Sequence, residues 1–198
     1  PLGTAQVSAL VSHDPPVMAV HYEDQLSEPV ERRVTLARWG SRVFEHWYRY
    51  VRRDGHLGLD APQMGCEGDE AWMIQETRSL HFAVACKLVG VSAKAELRNS
   101  REVSYRIAPG TECSFDVYIS VVTSEEADDP LAAAKEHVHR ASEAGRDELV
   151  TRHRSWWADF WSQSFVHIGD DYVENLWYMN LYQIGSSSLG EYPPHFIG

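Results

Sequence analysis

The sequence predicts a mainly β fold, an antiparallel sandwich, followed by a helical segment. Three observations carry this expectation. Apolar and polar residues alternate through "CSFDVYISVVTS", and short strand-like runs separated by turn signals recur over the first two-thirds of the chain. Beyond Thr123 the composition shifts to Ala-rich and aromatic patterns at helical spacing.

Along the β part, "TLARWGSRVFEHWYRYV" (35–51) fits either structure, and its Trp, Tyr and Val content with strand-like neighbours favours strands. "RRDGHLGLDAPQMGCEGDE" (52–70), broken by Gly55, Gly58, Pro62, Gly65 and Gly68, reads as a long surface loop. "EAWMIQETRS" and "SLHFAVACKLVG" have strand length, the second ending in Gly. Asn-Ser and Pro-Gly are read as turns on either side of "EVSYRIA". In the last strand Phe115, Val117, Ile119 and Val121 share one face, and Asp116, Tyr118 and Ser120 the other.

Acidic residues and Pro130 mark a helix start, and Gly145 separates that helix from a second. In the second, Leu149, His153, Trp156 and Phe160 form a stripe widened by Trp157 and Trp161. "SFVHIGDD" reads as a short strand and turn, with Asp170 or Asp171 capping a helix over 172–186. That helix carries Leu176, Trp177, Met179 and Leu181 and is apolar nearly all round, which suits a core helix. Each large apolar side chain gains about 1.5–3 kcal/mol only when covered. The expectation is therefore that this chain is a piece of a longer protein, cut where a helical domain begins.

Composition limits the function. Eighteen basic against 29 acidic residues leave a formal charge of −11, which argues against a nucleic-acid partner and fits a neutral or cationic one. No apolar stretch approaches the ~20 residues of a membrane span, so no membrane partner is expected. "PLGTAQVSALVSHDPP" lacks the regions of a signal peptide, and without an initiating Met the natural N-terminus is expected to be missing, so compartment and oligomeric state are left open. Cys66, Cys86 and Cys113 form no Cys-x-x-Cys pair and imply neither a zinc ribbon nor a disulfide framework; Cys86 and Cys113 read as small core residues.

The chemistry-bearing patterns mostly have plain readings. His137-x-His139 points to different faces of a helix, and no His-Glu-x-x-His occurs, so no metal or other cofactor is implied. "GSSSLG" (185–190) follows a helix rather than a strand, the wrong place for a nucleophile elbow. The pairs Glu125-Glu126, Asp128-Asp129 and Asp170-Asp171 sit at helix starts and read as caps. Surplus Trp and Tyr suit sugar stacking as well as core packing. Tyr192 and His195, on the Pro-stiffened loop "GEYPPHFIG", are the candidate substrate-binding residues.

From about residue 105 onward, these motifs resemble glycoside hydrolase family 95 and its relatives. They comprise a His with an aromatic "W…FW" segment (His153, Trp156, Trp157, Phe160, Trp161), the strand "SFVHIG", and aromatic-Gln-x-Gly at Tyr182, Gln183, Ile184 and Gly185. The Pro-rich loop at Pro193 and Pro194 follows. The family's fucosidases place Arg-Tyr after that Gly, where this chain has Ser186 and Ser187. Maltose-phosphorylase-like enzymes share the architecture. The resemblance implies a galactose mutarotase-like β-supersandwich (1–126, incomplete), a helical linker and short strand (127–169), and the first helix of an (α/α)6 barrel (170–198). It further implies inverting two-carboxylate cleavage of glycosidic bonds in oligo- or polysaccharides. The catalytic groups are expected beyond Gly198, so no residue here is assigned a catalytic role and the chain alone is expected to be inactive. From another class comes a carbohydrate-binding sandwich module with a helical dimerisation tail, and, third, a purely structural sandwich.

Overall fold

The computed structural model describes residues 3–38, 61–77 and 80–187. Among the described residues, seven strands, β1 (Gly3–Ser12), β2 (Val17–Ala37), β3 (Gln63–Glu67), β4 (Glu70–Glu76), β5 (His81–Val89), β6 (Ala95–Asn99) and β7 (Glu102–Thr123), precede three helices. The helices are α1 (Pro130–Ala144), α2 (Arg146–Ser162) and α3 (Asp171–Ser187). The strands form one antiparallel sheet in the order β1-β2-β7-β5-β4-β3, with β6 pairing β7. The chain divides into two compact units, Pro1–Val150 and Thr151–Gly198. Among the described residues, no helix is long and apolar enough to cross a membrane.

The first unit is organised by β7. Its first half pairs with β6 and the end of β2, and its second half with β5 and the start of β2. Pro109-Gly110, expected to reverse the chain, instead lies inside this strand. Gly110 pairs with Val30, and the register shifts on both sides of that pair: the extra residues fall on β2 between Gln25 and Val30, and on β7 between Ile107 and Gly110. Continuous pairing with one long partner overrides the local turn signal. Asn99-Ser100, in contrast, does turn, with the Arg101 amide donating to Asn99 Oδ1 at 2.8 Å.

Bending lets the sheet bury one face on itself. Val103, Tyr105 and Ile107 of β7 pack with Cys86 and Leu88 of β5, Ala71 of β4, and Phe115 and Val117 further along β7. The Tyr105 hydroxyl donates to the Cys86 carbonyl at 2.9 Å, satisfying the one polar atom this ring carries inward. The reverse face is buried too. Val17, Ala19, Ala85, Tyr118 and Val122 meet Ala134, Val138 and Ala141 of α1, and Leu149. Tyr118 and Ser120, on the presumed polar face of β7, are therefore each 1% exposed, while Val121 on the apolar face is 54% exposed. Helix α1 covers what strand alternation alone would leave wet.

Three further expectations are corrected. Residues 63–67 of the presumed loop form β3, where Gly65 is required because the Trp72 ring lies over it: a Cβ there would sit 2.1 Å from Trp72 Cζ2. "SFVHIG" pairs with no strand among the described residues; its Phe165 is 81% exposed. Cys113 is half-buried rather than core, unlike Cys86; all three cysteines are free thiols. Thr35–Ala37 belongs to β2, and the rest of 35–51, beyond Arg38, lies outside the described residues.

The helix boundaries match their signals. The Asp129 side chain accepts from the Ala132 amide at 3.0 Å with Pro130 in the first turn, and Gly145 (φ +79°) ends α1. Asp170 accepts from the Tyr172 and Val173 amides at 3.0 and 3.2 Å, opening α3.

In the second unit, α2 and α3 meet through rings. Trp157 stacks on Trp161 (5.7 Å between centroids) and on Tyr182 (5.1 Å), and Trp161 reaches Tyr178. Gly185 admits Phe160. The aromatic stripe thus loses Leu149 to the first unit's core and keeps its rings together.

Candidate functional site

The most strongly built polar feature sits where β2 bulges. Strand alternation places Tyr22 and Asp24 on one face, and the register shift brings Arg32 back to them. Arg32 Nε donates to Asp24 Oδ2 at 2.7 Å, and a second guanidinium nitrogen reaches Oδ1, a bidentate pair. The remaining nitrogen donates to the carbonyls of Val30 and Gly110, the groups that the irregular pairing would leave open, and the Tyr22 hydroxyl donates to Asp24. Both charged side chains are buried. The Arg32 hydrogen bonds hold the Asp24 carboxyl below the usual carboxylate range and raise the guanidinium further, while the bond to Asp24 raises the Tyr22 phenol.

Beside this network the inner face opens into a hollow of ≈ 380 Å³ lined by Val7, Val20, Tyr22, Arg32, Phe115 and Ile119, among others. Tyr22 and Phe115 stack at 4.9 Å, so their ring faces are partly used on each other. Arg32 is paired with Asp24, and the Tyr22 hydroxyl keeps its proton and spends it as a hydrogen bond to the Asp24 carboxylate. The arrangement braces a bulge; it offers no free acid or nucleophile.

A second cluster fastens α1 to the sheet. Glu70 accepts from His139 and lies 3.4 Å from Lys87 Nζ and 3.9 Å from Lys135 Nζ. His137 Nδ1 lies 3.0 Å from Ser120 Oγ, which donates to the Pro16 carbonyl. The two histidines face different partners, as their spacing required, and both are used in packing. Among the described residues, no group of three or more His, Cys, Asp or Glu is placed to hold a metal ion.

Catalytic acid chemistry needs a carboxyl that keeps its proton. The described carboxylates with displaced proton affinity, Asp24, Glu31 and Glu174, are all shifted the other way. The causes are Arg32 for Asp24, Arg106 for Glu31, and the Ile168 and Gly169 amides for Glu174. Burial pushes the Cys86 thiol up to about 11 and the Tyr118 phenol up to about 12, which makes both inert at neutral pH. Asp170 and Asp129 act as caps, as expected. Tyr192 and His195, and the Pro193-Pro194 loop, lie outside the described residues. The Tyr22–Asp24–Arg32 network was not anticipated. Its one sequence signal is Tyr-x-Asp on a single strand face, and the partner eight residues on is revealed only by the bulge.

Comparison with known proteins gives the wider context. A family model described as "Glycosyl hydrolase family 65, N-terminal domain" matches residues 19–160. Among solved structures, a chain described as a kojibiose phosphorylase from the human microbiome superposes with a TM-score of 0.55 at 11% identity. The alignment covers 81% of this chain and 22% of that one. No curated protein matches. The glycoside hydrolase-like assignment and the order of β domain followed by helices therefore stand, and the family matched is 65 rather than 95.

Proposed function

The chain belongs to glycosyl hydrolase family 65 as its N-terminal domain, and from that premise we propose that it is the β part of an enzyme acting on glycosidic bonds. In this reading 1–126 is the β-sandwich, 127–169 the linker, and 170–198 the opening of a helical catalytic barrel. The carboxylic acid that protonates the leaving oxygen lies in the barrel, beyond this chain, and the attacking oxygen comes from water or inorganic phosphate on the opposite side of the anomeric carbon. Phosphorolysis of a disaccharide is favoured by the neighbour described as a kojibiose phosphorylase.

The observation that carries the reading is the family match running from β2 into α2. Two features agree with it: the stripe of rings between α2 and α3, and the apolar surface of α3. Tyr172, Met179 and Ile184 of that helix are 73%, 59% and 56% exposed, as suits a helix that a larger helical domain covers.

The test is an assay of the complete protein on kojibiose, maltose and fucosides, with and without inorganic phosphate. Phosphate-dependent release of a sugar 1-phosphate is expected. Release of free sugars only would move the reading to hydrolysis, and no turnover of any glycoside would remove the enzyme assignment. The same exposed α3 residues favour one second reading, a carbohydrate-binding module that dimerises through this helix. Sedimentation of the 198-residue chain decides between them: a stable, soluble monomer or dimer supports the module, and aggregation supports the enzyme part.

A further inference from the structure

We draw no further inference here: the strongest candidate, the aliphatic sheet face that Val7 and Val11 of β1, Met18 of β2 and Val121 of β7 leave exposed, carries none because nothing among the described residues shows what covers it.

Discussion

The two units of this chain are held together by different physics. In the first, two clusters of aliphatic side chains, with the rings of Tyr105 and Tyr118, are almost wholly buried on the two faces of one sheet, and the buried Asp24–Arg32 ion pair is completely hydrogen-bonded. In the second, Gly185 is the single described residue that is buried, and cohesion comes from ring-to-ring contacts of half-exposed aromatics. A buried core gains most of its free energy from excluded water. Ring pairs add roughly 0.5–1.5 kcal/mol each beyond area and hold a geometry without closing a core. The first unit has the makings of a stable domain; the second has the orientation of its helices settled but much apolar surface still wet.

Breaking that comparison from its strongest side starts at Asp24. Asp24→Asn leaves Arg32 charged and buried, and a loss of about 3–5 kcal/mol is expected from denaturant unfolding of the first unit. Replacing both partners, Asp24→Leu with Arg32→Met, should recover only part of it, because the carbonyls of Val30 and Gly110 lose their donor. The folded Asp24 carboxyl titrates below its unfolded value of roughly 4, since Arg32 favours the charged form. Its contribution is therefore fully present above that unfolded value and is lost as pH falls through the lower, folded one. The stability gap between wild type and Asp24→Asn should narrow over that acid range; a gap independent of pH would contradict the assignment.

A smaller effect, confined to the second unit, is expected at Gly185. A Cβ there would lie 2.8 Å from Phe160 Cζ. Gly185→Val should cost about 1–3 kcal/mol of local stability by overpacking. The indole N–H resonances of Trp157 and Trp161 should shift, while that of Trp72 in the first unit stays put. Movement of all three would mean that the units fold as one. Smallest of all, Arg140→Gln removes an exposed pair with Asp14, 2.8 Å apart, and should change stability by under about 1 kcal/mol in thermal melts.

Much of this was legible in the residues because it is local. Alternation marked the second half of β7, and a Pro after Asp129, the glycine at 145 and the capping Asp170 bounded the helices to within a residue or two. These signals work through the nearest turns of backbone and their hydrogen bonds. The first strands were harder, because His21, Glu23, Asp24, Glu31 and Arg32 interrupt the apolar pattern of β2, and their partners lie on other strands or across a bulge. Pro109-Gly110 misled for the same reason: both halves of β7 pair with a single distant strand, and a dipeptide carries no record of that.

By itself, then, the order of residues determined the strand-then-helix plan, the helix ends, the acidic net charge, and the likeness to carbohydrate-active enzymes. Only the tertiary structure decided that β7 is one strand, that its polar-looking face lies under α1, and that Arg32 returns to Asp24. Each of these depends on segments brought together from far apart in the chain, where burial and pairing outweigh local preference by several kcal/mol.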